Sequence, residues 1–287
     1  MRRPNRFINV FCMQPQKLNL DFSRPCVMAI LNVTPDSFYA GSRSFSAEEI
    51  EHRVEELLAE GADWIDVGGY SSRPGAEDIS PEEEFRRVSR ALTTIRRLNP
   101  EIPVSVDSFR SEVVERTVEA FGAVIVNDIS GGVLNPRLVE VAARYALPYI
   151  AMHMRGTPQT MQQMTHYGDV VAEVVEWFRG RIDYLKGAGV DQLILDPGFG
   201  FAKTTEQNFQ LLAGLHRLVE LGYPVLSALS RKSMIYKTLG VGPEEALHGT
   251  TALHWESLRQ GAKLLRVHDV RAARDVVQIF EKYSNKQ

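Results

Sequence analysis

A chain of 287 residues that is 44% hydrophobic and 24% charged has ample material for a core, and its length suits one large α/β domain better than two small ones. A formal net charge of −3 argues against a nucleic-acid or membrane-surface protein, while leaving room for a local basic pocket. The two cysteines, Cys12 and Cys26, form no C-x-x-C pair, which excludes zinc-ribbon and thioredoxin readings and fits a reducing compartment.

Taken in chain order, the N-terminus opens Met1-Arg2-Arg3, but the apolar stretch 7–13 is broken by Asn9 and lacks a small-residue cleavage site, so it is not read as a signal peptide. No apolar run approaches the ~20 residues that span a bilayer, and the expected location is cytoplasmic. Residues 1–25 are expected to form an extension, with 7–13 and 18–22 pairing as a hairpin across the floor of the domain that occupies 26–287. Beyond it, eight short apolar runs recur at 27–33, 64–67, 103–106, 123–126, 149–152, 193–195, 225–229 and 263–267. They are rich in Val, Ile and Leu without clean alternation, as parallel strands covered on both faces should be. Helical stretches lie between them. Ser46-Ala47-Glu48-Glu49 reads as a capping box, and Ser80-Pro81-Glu82-Glu83 repeats the start signal with proline at the first helical position. Gly61-Ala62, Gly122-Ala123, Gly189-Val190 and Gly261-Ala262 form a recurring phrase that stops a helix and starts a strand. Eight β-then-α units predict a single closed (β/α)8 barrel, with an open doubly wound sheet as the rival.

The candidate chemistry follows the strands. Their C-terminal ends carry Asn32, Gly68-Gly69-Tyr70-Ser71-Ser72-Arg73-Pro74-Gly75, Asp107-Ser108, Asn127-Asp128, His153, Asp196, Ser230-Arg231-Lys232-Ser233 and Arg266-Val267-His268-Asp269. One polar strand end is most simply a cap or a turn. Eight at the same rim point to an active site, because barrel sites lie at the C-terminal ends of strands. Asp107, Asn127 and Asp196 supply acceptors and an amide for the polar edge of a heterocycle. Arg73, Arg266 and His268 supply cationic donors for phosphate oxygens, Lys232 suits a carbonyl or ring nitrogen, and Arg266 also suits the face of an aromatic ring. Ser233, at an expected helix N-terminus, suits a carboxylate. Other signals lead elsewhere. The segment Gly198-Phe199-Gly200-Phe201-Ala202-Lys203-Thr204 lacks P-loop spacing, and His153 and His254 lack ligand partners at zinc spacing and read as structural. No G-x-S-x-G accompanies the serines, and Trp64, Trp177 and Trp255 read as packing residues.

The phrases Asn32-Val33-Thr34-Pro35-Asp36-Ser37-Phe38, Ser72-Arg73-Pro74-Gly75, Asn127-Asp128-Ile129-Ser130-Gly131, Met152-His153-Met154-Arg155-Gly156, Asp196-Pro197-Gly198, Ser230-Arg231-Lys232-Ser233 and Arg266-Val267-His268-Asp269, in that order, resemble the dihydropteroate synthase family. The resemblance implies a (β/α)8 barrel of folate biosynthesis. Such an enzyme joins 7,8-dihydropterin-6-ylmethyl diphosphate to p-aminobenzoate with release of pyrophosphate, using Mg2+, as a homodimer that sulfonamides inhibit. Residue by residue, it implies that Asp107, Asn127, Asp196 and Lys232 bind the pterin and that Arg266 stacks on the ring and reaches phosphate. It puts Asn32 on the metal and diphosphate side and Ser72, Arg73 and His268 at anion-binding positions. Ser233, with Arg73 and Pro74, falls near p-aminobenzoate, and the catalytic set is Asp107, Asp196, Lys232 and Arg266. Tyr70, the pair Tyr39-Ala40 and Ala202 depart from the family pattern. A pterin-binding methyltransferase shares the barrel and the pterin-reading acids, but Arg73-Pro74-Gly75 and residues 230–233 argue against it. A catalytically dead pterin-binding barrel is a further alternative, opposed by the intact polar set.

Overall fold

Each predicted apolar run becomes a strand: β1 Cys26–Asn32, β2 Trp64–Gly68, β3 Val104–Asp107, β4 Ile125–Asp128, β5 Tyr149–Met152, β6 Leu193–Asp196, β7 Leu226–Ser227 and β8 Leu264–Val267. The computed structural model describes residues 18–34, 46–71 and 78–284. All seven strand pairings are parallel, in the order β6-β5-β4-β3-β2-β1-β8-β7. A parallel bridge between Leu195 and Val225, with the Leu195 N–H donating to the Pro224 carbonyl at 2.9 Å, brings the two ends of the ladder together. The sheet is therefore a nearly closed barrel, not the open sheet of the rival reading. β7 is shorter than its apolar run because Val225 is shared at the seam: it bridges to β6 while its carbonyl accepts the N–H groups of Lys263 and Leu264.

The helices are α1 Ala47–Ala59, α2 Pro81–Leu98, α3 Ser111–Phe121, α4 Pro136–Arg144, α5 Val170–Gly187, α6 Thr205–Ala213, α7 His216–Val219, α8 Ser233–Leu239, α9 Leu247–Arg259 and α10 Val270–Ser284. The expected caps form. Ser46 and Glu49 exchange side-chain-to-backbone bonds of 3.1 and 2.8 Å, and the Ser80 hydroxyl accepts the Glu83 N–H at 3.2 Å. The repeated glycine before a strand also has its reason: Gly61, Gly122, Gly189 and Gly261 all have φ between 82° and 98°, a conformation that costs any side chain with a Cβ.

Strand parity sorts the core. On β1, Val27, Ala29 and Leu31 face the helices, while Cys26 and Met28 face the barrel axis. The same two-residue period on the other strands sends Trp64, Ile125, Ile150, Ile194, Leu226 and Leu264 inward to fill the N-terminal half of the interior. Leu18, Leu20 and Phe22 pack beneath this cluster. Residues 18–22 form no strand, so they are not the second arm of a hairpin; the other arm, 7–13, lies outside the described residues. A polar layer stands on this apolar floor.

The turn out of β6 is the tightest approach in that layer. A Cβ built on Gly198, which has φ +71°, falls 2.1 Å from the His153 carbonyl oxygen. Gly198→Ala is expected to cost at least about 2 kcal/mol in urea unfolding through backbone strain and displacement of this turn. A change under about 0.5 kcal/mol, the range of neutral surface substitutions, would contradict that geometry.

Candidate active site

The inward positions at the C-terminal ends of the strands are polar. Parity places Asn32, Asp66, Asp107, Asn127, Asp196 and Arg266 on the axis side, and the strand register sets Asp107 beside Asn127 and beside Gly68, which in turn neighbours Asn32. All but Asp66 line a cavity that, with the solvent at its open mouth, measures about 680 Å³, and its wall includes Asn32, Thr34, Tyr70, Ser71, Asp107, Asn127, Ile129, Met152, Asp196, Phe201, Lys232 and Arg266.

Asp66 organises one side. It is fully buried in β2 and accepts from Ser105 Oγ at 2.6 Å, from Asn127 Nδ2 at 3.1 and 3.2 Å, and from Arg266 Nε at 2.7 Å. Arg266 reaches on to Asp107 Oδ2 at 2.8 Å. One guanidinium thus spans two carboxylates, and burial without them would be prohibitive. With its amide nitrogen committed to Asp66, Asn127 has its carbonyl oxygen left to offer a ligand. Desolvation pushes the Asp107 carboxyl up to about 7 against the pull of Arg266, a push tempered by the 25% of its side chain that stays open.

Asp196 and Lys232 form the other side. Asp196 accepts the Gly198 N–H at 2.8 Å, and burial raises its pKa while Lys232 opposes the rise. The Lys232 ammonium donates to the Phe199 carbonyl and sits 4.7 Å from the centroid of the Phe201 ring. Burial pushes it down to about 8, and the Asp196 carboxylate resists, so it remains largely charged at neutral pH. The arrangement offers acceptors, one amide and two cations around a slot lined by Ile129 and Met152, with the Phe201 ring at its edge beside Lys232. It suits a flat, polar-edged ring bearing an anionic tail.

Of the residues singled out in the sequence, the fold brings Asn32, Asp107, Asn127, Asp196, Lys232 and Arg266 to this cavity. Ser233 opens α8 next to Lys232 but does not line the cavity. His268 is exposed at the rim, where its Nδ1 lies 3.1 Å from Ser230 Oγ. Desolvation, then the Arg266 charge, holds its imidazole below the ordinary range, an effect that exposure weakens. Among the described residues Arg266 and Lys232 are the cations that line the cavity, and His268 stands outside that lining. Ser72, Arg73, Pro74 and the pair Tyr39-Ala40 lie outside the described residues, as does Cys12. Cys26 is buried in the apolar floor.

Two of the departures are placed. Tyr70 stands in the cavity wall, edge-on to Phe109 at 5.4 Å and with the Arg110 guanidinium 4.9 Å from its ring. Ala202 takes φ +50°, the left-handed region where glycine carries no penalty. His153 and His254 are both buried, and no metal-ligating cluster occurs among the described residues. The residue that motif reading passed over is Asp66. Its signal is in the sequence: an acid inside an apolar strand, on the same parity as the inward Trp64, is a buried charge that must have a partner.

A family model described as pterin binding enzyme matches residues 28–268. The dihydropteroate synthase of Synechocystis is 44% identical over 261 residues, 90% of each chain. The dihydropteroate synthase of Xanthomonas albilineans, solved in complex with 7,8-dihydropteroate, superposes with a TM-score of 0.81 at 40% identity, covering 92% of this chain and 95% of that one. The Yersinia pestis dihydropteroate synthase, solved with a sulfonamide drug, superposes with a TM-score of 0.87 at 36% identity, covering 95% and 98%.

Removing Asp66 leaves a buried guanidinium with half its partners. Asp66→Ala is expected to lower the unfolding free energy by about 3–5 kcal/mol, read by urea denaturation. A loss below about 1 kcal/mol would mean that Arg266 is held by Asp107 alone.

Proposed function

The chain belongs to the pterin-binding enzyme family with the dihydropteroate synthases, and from that membership we propose that it joins p-aminobenzoate to the 6-methylene carbon of a dihydropterin diphosphate, releasing pyrophosphate. The observation that carries this reading is the convergence of Asp107, Asn127, Asp196, Lys232 and Arg266, from five different strand ends, on one cavity.

The pterin ring lies in the slot, its N–H edge read by the Asp107 and Asp196 carboxylates and the Asn127 carbonyl. Lys232 donates to the ring's acceptor atoms, and Arg266, braced by Asp66 and Asp107, covers its face and reaches the diphosphate. Ser72, Arg73 and His268 hold diphosphate oxygens at the rim. Ser233 receives the p-aminobenzoate carboxylate, and Arg73 and Pro74 line the same site, which sulfonamides occupy by resemblance to that substrate.

The amine of p-aminobenzoate is a weak nucleophile, because its lone pair is delocalised into the ring. The reaction is therefore driven by the leaving group and proceeds by SN1-like substitution. The C–O bond to the diphosphate breaks first, and its electrons leave with pyrophosphate toward the cations at the rim. The methylene cation that remains is conjugated with the pterin ring and is favoured by the Asp107 and Asp196 carboxylates. The amine nitrogen then bonds to the methylene carbon, and the proton it sheds passes to the released pyrophosphate or to solvent.

Magnesium fits the donor set only as an ion carried largely by substrate. Asn32 presents its Oδ1 beside Gly68, where an added Cβ would lie 2.9 Å from it, and a single amide oxygen with diphosphate oxygens and waters is an ordinary magnesium shell. When bound, the ion would neutralise charge on the departing pyrophosphate. We also propose a cytoplasmic homodimer. No helix among the described residues is long and apolar enough to cross a membrane. Ile279 and Tyr283 of α10 are 62% and 52% exposed beside Trp255 and Phe280, an apolar face that a second copy would cover.

Incubation with the pterin diphosphate, p-aminobenzoate and Mg2+ is expected to yield dihydropteroate and pyrophosphate in equal amounts; no product would overturn the proposal. Asp107→Asn is expected to lower kcat/KM by about 10²–10³, and near-normal turnover would remove Asp107 from the role given to it. Since burial lifts Asp107 to about 7, its protonated form accumulates below that pH and the acceptor is lost. Pterin affinity should therefore fall as the medium is acidified through neutrality, and calorimetric titrations of D107N should lack that step.

A further inference from the structure

Lys203 is 7% exposed, in the loop between β6 and α6, and the chemistry above does not use it. Its ammonium lies 3.0 Å from the carbonyl oxygens of Gly198 and Phe201 and 3.1 Å from His153 Nδ1. Burial pushes this amine down to about 7 while the Asp196 carboxylate opposes the fall, and in its ammonium form three donors meet three acceptors. With a lysine ammonium donating to Nδ1, the imidazole proton belongs on Nε2. Burial, reinforced by the Lys203 charge, pushes His153 down to about 2, which keeps the ring neutral. Trp177 packs edge-on against that ring at 5.0 Å, fixing the third acceptor from behind.

The loop that Lys203 grips is otherwise unsupported by ladder bonds. Gly198, Gly200 and Ala202 all have positive φ (71°, 81° and 50°). Asn208 adds two ties, accepting the Gly200 N–H at 2.7 Å and donating to the Lys203 carbonyl at 3.4 Å. Between the two gripped carbonyls the chain presents Phe199, whose carbonyl accepts from Lys232. At the second gripped residue it presents the Phe201 ring, which forms cavity wall 4.7 Å from the ammonium of Lys232, the residue that precedes Ser233. Ser233 is one of the residues assigned above to the aromatic amine, and the Phe201 ring is the aromatic surface of the cavity nearest to the Lys232 ammonium.

We propose that Lys203 is a positioning residue for the second substrate: by holding the Gly198 and Phe201 carbonyls against His153, it fixes the Phe201 ring as the wall on which the aryl amine rests. The proposal rests on the function argued above. An apolar residue would fill the same volume without the cost of burying a cation. What the ammonium adds is three directional bonds that define one loop conformation.

The test is the variant Lys203→Gln in the full-length protein. The wild-type protein must first form dihydropteroate; an inactive wild type overturns the function reading and this role with it. With an active wild type, K203Q is expected to raise KM for p-aminobenzoate about tenfold or more, while the calorimetric Kd for the pterin diphosphate moves no more than about threefold. In a double-mutant cycle with Phe201→Leu, the two KM effects should be non-additive by at least about threefold, because both act through one ring. Additive effects, an unchanged KM, or parallel loss of pterin affinity would overturn the positioning role. Should K203Q fail to fold, His153→Phe in the same cycle removes the third acceptor and leaves the lysine in place. A smaller rise in the same KM, coupled to Phe201, supports the proposal, and an uncoupled or absent rise overturns it.

Discussion

A guanidinium held between two carboxylates inside the barrel is the constraint on which the site depends. Arg266 enters from β8, Asp66 from β2 and Asp107 from β3. Each alone is a charge that the interior cannot hold. Together they satisfy one another, and the surplus hydrogen-bonding capacity of Asp66 goes to Ser105 and Asn127. Such a network is a poor source of stability compared with apolar packing of the same volume. Its value is orientation: it leaves Asp107, Asn127 and Arg266 aimed at the cavity before any ligand arrives, which is the preorganisation that electrostatic catalysis requires.

The apolar floor makes that polar layer affordable. Inward side chains from Trp64, Ile125, Ile150, Ile194 and Leu264, underlain by Leu18, Leu20 and Phe22, fill the lower interior and keep water from the buried ions on that side. Along β4 and β6 the next inward residue above the floor is already functional: Ile125 precedes Asn127, and Ile194 precedes Asp196. The two-residue period of a strand thus carries the change from core to chemistry in a single step.

The second half of the site is built differently. Asp196 and Lys232 meet through the turn that follows β6, and three residues of that turn use left-handed backbone. Loop carbonyls rather than strand side chains hold the lysine.

The barrel and most of the pocket were legible in the sequence because both rest on local patterns: eight apolar runs, glycine stops at a left-handed position, capping boxes, and polar residues at the end of each run. Chain order plus the rule that barrel sites lie at the C-terminal rim was enough to nominate Asn32, Asp107, Asn127, Asp196, Lys232 and Arg266. Tertiary structure alone decided the rest. That Asp66 is a partner of Arg266, 200 positions away, depends on closing the sheet between β2, β1 and β8, and no local pattern encodes a through-space pairing. The same holds for Lys203, whose meaning depends on His153 arriving from the end of the neighbouring strand, and for His268, whose imidazole is held down first by desolvation and then by the Arg266 charge. A one-dimensional pattern specifies which face a residue takes. Which charge it meets there, and therefore what it can do, is a property of the closed barrel.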